Sequence, residues 1–297
     1  LPPERYAPKK VLGVGGSGIV VRLADAKFPQ QDVALKFPRP VPGKIQLVRE
    51  MLSKEIHVLA RLRHPGVVRI LYYDQIDETE TYDKLPFYLM EFIEGVPSRQ
   101  YFRNDVQESR GILRLVDDAS KALHYLHTFP EGAIAHLDIK PENILIENLP
   151  RRPVMVDLGT AKRLMNDDTS TTVACTRSFA DPELVRHLTA DPTDENRSKG
   201  ELPKSAVQLG FDLYSLGLTV LSWLGFDHST GVLEYDNVVR LLAPYDRKYL
   251  ILLAARLLAH RADHVPSWVT TRVGLSAKFL NQIAIRSTYE LSDCCSR

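Results

Sequence analysis

The chain has 297 residues, 44% of them apolar and 25% charged, and 38 Lys and Arg against 37 Asp and Glu leave a formal charge of +1. That is an ordinary globular composition, sufficient for one large or two medium domains, and so small a net charge argues against binding nucleic acid or an anionic membrane through bulk electrostatics. Three cysteines, Cys175, Cys294 and Cys295, show no C-x-x-C metal-ligand spacing, so a disulfide framework is not expected and a reducing, cytoplasmic compartment is.

The first ninety residues read mostly as strands. Val11–Leu12, Ile19 to Leu23, Val33 to Phe37, Val67 to Tyr73 and Phe87 to Phe92 are short runs rich in β-branched and aromatic residues, separated by turn-forming or polar stretches, as in an antiparallel sheet. One segment interrupts them. From Leu47 to Leu62 the apolar positions Leu47, Val48, Met51, Leu52, Ile56, Val58, Leu59 and Leu62 follow mostly a three-to-four spacing, which predicts an amphipathic helix. His64-Pro65-Gly66 ends it.

Beyond about residue 95 the texture becomes helical. Gly111 to His127 carries Ile112, Leu115, Val116, Ala119, Leu123 and Leu126 along one side. Val154 to Val156 reads as a short strand, and Phe211 to Trp223 and Tyr249 to Leu258 as apolar helices. Thr189 to Val207 is polar and rich in Pro, Asp, Lys and Ser, which predicts loop or disorder. The apolar stretches Leu213 to Phe226 and Tyr249 to Ala259 fall short of the ~20 residues that span a bilayer. The pattern predicts a smaller β-rich lobe over residues 1–91 and a larger helical lobe over 92–297. The chain starts at Leu1 and lacks a signal-peptide pattern, as expected of a domain excised from between flanking regions.

Gly13-Val14-Gly15-Gly16-Ser17-Gly18 lies between two strand-like runs. Glycines permit tight turns and bring main-chain N–H groups close to phosphate oxygens. The same spacing fits a dinucleotide fingerprint, but that motif needs a helix directly after the glycines, and Ile19 to Leu23 reads as a strand. Lys36 is embedded in the apolar run Val33-Ala34-Leu35-Lys36-Phe37, so if buried it needs a partner. Glu55 on the predicted helix is the preferred partner, with Glu50 as the alternative. Further on stand His136-Leu137-Asp138-Ile139-Lys140-Pro141-Glu142-Asn143 and, behind a short strand, Asp157-Leu158-Gly159. Phosphoryl transfer needs a carboxylate to accept a hydroxyl proton, hard oxygen ligands for a divalent cation, and cationic groups against developing charge. Asp138, Asn143, Asp157 and Lys140 are residues of those types.

In this order the motifs resemble those of the protein kinase superfamily, over roughly Tyr6 to Val269: a Gly-rich loop, a strand Lys, a helix Glu, a catalytic loop and a magnesium loop. The resemblance implies an α+β, bilobal fold and transfer of the γ-phosphoryl group of ATP to a protein hydroxyl. It implies Mg²⁺, with Mn²⁺ able to substitute, held by Asn143 and Asp157. Lys36 would meet the α/β-phosphates and pair with Glu55, Asp138 would be the base, and Lys140 would approach the γ-phosphate. Gly13, Gly15, Gly16, Ser17 and Gly18 would cover the phosphates. Val20, Ala34 and Leu145 would sandwich the adenine behind Met90, and the backbone of Glu91 and Ile93 would bond its edge. Asp212 would anchor the catalytic loop. Lys140 with Thr176 is similar to the Ser/Thr-specific branch. The partners implied are ATP, a protein substrate and flanking regulatory domains, with no nucleic acid and no membrane span.

The chain departs from the family's pattern in four places. Leu137 stands where the family usually has the Arg that pairs with a phosphorylated loop, which implies weak dependence on phosphates at Thr169, Ser170, Thr171 or Thr172. Leu158 replaces an aromatic residue. Asp181-Pro182-Glu183 stands where the family has A-P-E, whose Glu pairs with a late Arg; in His264-Val265-Pro266-Ser267 the place of that Arg is taken by Val265, so either Arg261 substitutes or the pair is missing. Finally, Glu183 and Asp212 are 29 residues apart; the extra residues, within Thr189 to Val207, read either as a solvated insertion or as a docking element.

Overall fold

The computed structural model describes residues 4–16, 18–39, 45–76, 84–104, 109–164, 171–188, 199–202 and 207–223. Ser17, Thr169, Ser170, Arg261, Val265, Cys294, Cys295 and the helix expected over Tyr249 to Leu258 lie outside them. Two compact units divide the chain: Leu1–Tyr101 with Leu115–His136 and Glu142–Asp168, and Phe102–Arg114 with Leu137–Pro141 and the chain from Thr169 onward.

In the first unit the strand-forming runs pair in antiparallel fashion. β1 (Tyr6–Val14) meets β2 (Ile19–Asp25), which meets β3 (Val33–Phe37). After α1 (Ile45–Leu59), β4 (Ile70–Ile76) and β5 (Leu85–Glu91) complete a five-stranded sheet in the order β1-β2-β3-β5-β4. Val67 and Val68, expected at the start of β4, instead meet Met155: Val67 makes an isolated parallel bridge to it, and the Val68 N–H donates to its carbonyl at 3.0 Å.

The register sorts side chains by face, because successive residues alternate and directly paired residues share a side. Val20 pairs with Lys36, Lys36 with Tyr88, and Ala34 with Met90, so these five residues share one face. Leu23, Val33 and Leu89 occupy the other, where they form a small core with Tyr6, Val21 and Leu35. Over that second face opens a cavity of about 1120 Å³ lined by Tyr6, Arg22, Phe28, Val33, Leu89 and Phe92 among others.

Helix α1 buries Val48, Leu52, Glu55, Ile56 and Leu59, the stripe expected of a helix with one inward side. Its C-terminal exit is welded to α3 (Ser109–His127), where His64 stacks on Tyr125 at 5.0 Å and the Arg63 N–H donates to the Tyr125 hydroxyl at 2.8 Å. Between β5 and α3 lie β6 (Gly95–Pro97) and α2 (Ser98–Asn104). Then come β7 (Ile134–Ala135), a 3₁₀ turn at Pro141–Asn143, β8 (Ile144–Glu147), β9 (Pro153–Met155) and β10 (Lys162–Arg163). They form a β6-β8-β9 sheet and a β7-β10 pair. Gly95 permits the first of these: a Cβ there would sit 2.2 Å from the carbonyl oxygen of Ile146.

In the second unit, β11 (Thr171–Ala174) precedes α4 (Pro182–Leu188), β12 (Lys199–Leu202) and α5 (Gly210–Trp223). Asp181 caps α4. Its carboxylate accepts the Glu183 N–H at 2.8 Å and its carbonyl accepts the Val185 N–H at 3.0 Å, with Pro182 at the first helical position. Helix α5 is apolar nearly all round and largely buried. Its serine and threonine hydroxyls are satisfied within the helix: Ser215 donates to the Phe211 carbonyl at 3.0 Å and Thr219 to the Ser215 carbonyl at 2.9 Å. The stretch read from sequence as loop over Thr189 to Val207 contains a strand instead. β12 pairs antiparallel with β11, so its conformation comes from a partner distant in sequence rather than from the weak strand preference of Lys-Gly-Glu-Leu.

Candidate active site

The first unit holds a buried cluster around Lys36. Its Nζ donates to Glu55 Oε1 and Oε2 at 2.9 and 2.8 Å and to Asp157 Oδ1 at 2.8 Å. The Tyr88 hydroxyl donates to Glu55 Oε1 at 3.0 Å. β3 projects Lys36 toward the face that α1 covers, and Glu55 lies in the buried stripe of α1, so the two charges meet where neither could remain alone. Glu50, the alternative partner, is exposed and bonds Gln46. Burial alone would drive the Lys36 ammonium toward neutrality; the groups around it, Glu55 foremost and then Tyr88 and Asp157, outweigh it and hold its pKa well above the usual lysine value. Burial raises the Glu55 pKa while Lys36 pulls it down. The Tyr88 phenol is pushed well up by burial and by the Glu55 charge. Sequence reasoning did not single out Tyr88; the signal available was a tyrosine inside an apolar strand, whose hydroxyl must find a partner when buried.

Asp157 differs from its partners in exposure. Its side chain is 46% accessible against 4% for Lys36, and its backbone has φ 60°. The N–H of the preceding Val156 donates to the Asn143 carbonyl at 2.9 Å, which brings Asn143 and Asp157 together. A half-exposed carboxylate beside an amide residue supplies hard oxygens of the kind that hold Mg²⁺, which keeps several waters and shares its ligands with phosphates. Among the described residues no three His, Cys, Asp or Glu side chains group to hold a metal ion by themselves, so a cation here would depend on such outside ligands.

The glycine-rich turn between β1 and β2 is closed by the Gly15 N–H donating to the Gly18 carbonyl at 2.8 Å. Gly18 is a steric requirement, since a Cβ would sit 2.5 Å from the Phe37 carbonyl oxygen. Gly13 and Gly16 face open space, which leaves their backbone approachable. Val20, Ala34 and Met90 share the face of Lys36. Glu91 donates its N–H to the Arg69 carbonyl at 3.0 Å and accepts the Arg69 N–H at 2.9 Å on Oε1, which ties the end of β5 to the residue before β4. Ile93 is buried two residues beyond, and Leu145 lies in β8 opposite Val154.

The second unit holds a separate cluster around Asp138. Oδ1 accepts the Thr176 N–H at 2.9 Å, Oδ2 accepts Lys140 Nζ at 2.6 Å, and Lys140 also donates to the Thr176 hydroxyl at 2.8 Å. The loop is pinned from α5, where the fully buried Asp212 accepts the Leu137 N–H at 2.7 Å. Leu137 is itself buried, with φ 66°. Cys175 is buried beside this cluster; burial and the Asp138 charge push its thiol up to about 11.

A family model described as the protein kinase domain matches residues 6–227. The chain is 33% identical over 200 residues to the inhibitor of nuclear factor kappa-B kinase subunit beta of Bos taurus, which covers 65% of this chain and 26% of that protein. It is 30% identical over 202 residues to the serine/threonine-protein kinase PknB of Mycolicibacterium smegmatis, covering 66% and 31%. It is 29% identical over 258 residues to serine/threonine-protein kinase D of Synechocystis sp., covering 80% and 45%. It therefore spans between about a quarter and under a half of the length of these relatives. Among solved structures, the autoinhibited serine kinase domain of the giant muscle protein titin superposes with a TM-score of 0.61 at 21% identity, covering 86% of this chain and 75% of that one; the likeness is one of fold.

Proposed function

The chain belongs to the protein kinase family, of the serine/threonine type, and from that premise we propose that it transfers the γ-phosphoryl group of ATP to Ser or Thr hydroxyls of a protein substrate through the residues of its two clusters. The observation that carries this reading is the buried contact of Lys36 with both Glu55 and Asp157. A fixed ammonium with a half-exposed carboxylate beside it suits an anionic phosphate chain and its cation. Such a buried ionic group is costly to maintain and is retained where it serves a purpose.

In this reading Lys36 binds and orients the α/β-phosphates, and Glu55 with Tyr88 fixes its position. The turn from Gly13 to Gly18 covers the phosphates with backbone N–H groups. Val20, Ala34, Met90 and Leu145 contribute apolar surface to the adenine, and the backbone of Glu91 and Ile93 bonds its edge. Asn143 and Asp157 are the residues that would hold Mg²⁺, which when bound offsets phosphate charge. Asp138 orients the substrate hydroxyl and accepts its proton as the hydroxyl oxygen bonds to the γ-phosphorus and the bond to the ADP oxygen breaks. Lys140 sets a positive charge against the transferring group. Leu137 brings no charge to a phosphorylated loop, in keeping with activity that does not require one.

The test is transfer of labelled γ-phosphate from ATP with Mg²⁺ to a generic basic protein and to the chain itself, beside Asp157→Ala. Label on Ser or Thr that disappears in the variant, with the fold intact by circular dichroism, supports the reading. Saturable ATP binding without transfer by the wild-type chain overturns it in favour of a binding module.

A further inference from the structure

The segment that leads from the magnesium-loop residue Asp157 toward α4 contains a strand, β11, whose partner is β12 from the insertion between α4 and α5. Four residue pairs form the ladder: Thr171 with Leu202, Thr172 with Glu201, Val173 with Gly200 and Ala174 with Lys199. It ends one residue short of Cys175, and the next residue, Thr176, bonds Asp138 through its N–H and receives Lys140 on its hydroxyl. β12 also packs beside α4, the helix that follows Thr176. One end of the ladder is thus two residues from a direct hydrogen bond to the proposed base, and its other strand is braced on the next helix.

We propose that β12 is a positioning strand for the reaction: by pairing with β11 it holds Thr176 against Asp138 and Lys140 in the absence of any phosphate on the segment. The proposal rests on the kinase reading for its kinetic consequence, but the pairing itself is a property of the fold. Main-chain ladder bonds fix strand position without needing side-chain charge, whereas phosphate clamps need a cation to receive them. Leu137, adjacent to Asp138, is buried and apolar. The insertion therefore contributes part of the machinery that orders the substrate-binding segment, and its removal would be felt at Asp138.

The ladder makes a sign-specific prediction. Thr172 and Glu201 are register partners, and like charges placed directly opposite one another destabilise a strand pair. Thr172→Glu should therefore lower kcat on a protein substrate about fivefold or more, and the double variant Thr172→Glu with Glu201→Lys should regain most of it. Thr171→Val with Thr172→Val, which keeps β-branched residues but removes both hydroxyls, should stay within about threefold of wild type. Gly200→Pro, which places a φ-locked residue disfavoured inside a strand pair, should lower kcat more than tenfold and leave the KM for ATP within about twofold.

These measurements use the full chain, with backbone hydrogen exchange over residues 171–176 as a readout that does not depend on catalysis. Faster exchange there in Gly200→Pro and Thr172→Glu, reversed in the charge-swapped double variant, supports the strand pairing even if the wild-type chain transfers no phosphate, in which case only the kinase reading fails. Unchanged exchange in both single variants overturns the proposal. So does an active wild type whose kcat survives Gly200→Pro, or one in which the valine pair abolishes transfer while Thr172→Glu does not. If Gly200→Pro fails to fold, the Thr172→Glu and Glu201→Lys pair decides.

Discussion

Two lysines, Lys36 and Lys140, each bond an aspartate at short range, and they are built on opposite terms. Lys36 is 4% accessible and holds Glu55 and Asp157 at once. Lys140 is 21% accessible; it donates to the Asp138 carboxylate and to the Thr176 hydroxyl, and the Thr176 backbone N–H donates to the same carboxylate. The buried cluster depends on mutual neutralisation, so removing either charge strands the other in a low-dielectric site. The Asp138 cluster is held by a neutral backbone donor and a neutral acceptor as well as by an ion pair, and water can reach part of it, so losing one charge there changes chemistry more than stability.

The strongest way to break this contrast is Lys36→Met, which should abolish measurable phosphoryl transfer and also destabilise the chain, because Glu55 loses its closest cation; the loss expected is ~3–5 kcal/mol, read by denaturant unfolding. Stability equal to wild type would mean that Glu55 takes up a proton at little cost and that the two clusters do not differ in kind. Asp138→Asn should lower kcat by about 10²–10⁴, the usual worth of a positioned base, while the unfolding midpoint moves little. A large drop in midpoint would make Asp138 a structural residue first. Tyr88→Phe sharpens the first cluster by removing one hydrogen bond to a charged group, at a cost of ~1.5–3 kcal/mol, with transfer falling by less than about tenfold. The smallest effect concerns Cys175. Its thiol is held up to about 11 from an ordinary 9.0, mainly by burial. A raised folded pKa contributes stability that is complete below pH 9 and is lost as pH rises toward 11. Mass mapping after iodoacetamide treatment should find Cys175 unmodified at pH 8 and progressively labelled above pH 10; ready labelling at pH 8 would show an accessible thiol.

Local pattern made some of this legible and long-range pairing hid the rest. β3 runs from Val33 to Phe37 as its largely apolar composition implies, and α1 is displaced from its expected start by two residues. Lys36 stood out because a lysine among Val, Ala, Leu and Phe calls for a counter-charge, and Glu55 was the preferred partner with Glu50 as the alternative. The buried stripe of α1 holds Glu55 and leaves Glu50 exposed. Helix α4 went unread although Asp181-Pro182 is a local start signal with a physical basis, a capping carboxylate followed by a residue with preset φ. β12 could not be read from Lys-Gly-Glu-Leu, because its strand character comes from β11, 25 or more residues earlier. The bonds from Asp138 to Thr176 and from Asp212 to Leu137 are likewise contacts between segments 38 and 75 residues apart, beyond the reach of periodicity.

The two-sided register of β3 sets where this chain can change length. Ala34 and Lys36 face the side on which Lys36 meets Glu55, and Val33 and Leu35 face the small core under the cavity. Deleting one residue inside this strand would reverse the parity of everything on one side of the cut, turning the ammonium toward the cavity and a leucine or valine toward Glu55. The turn from Ala26 to Asp32, which is largely exposed, carries no such parity, and added length there would be absorbed without consequence for Lys36. Tolerance to insertion should therefore change abruptly at Val33, within a single residue of chain.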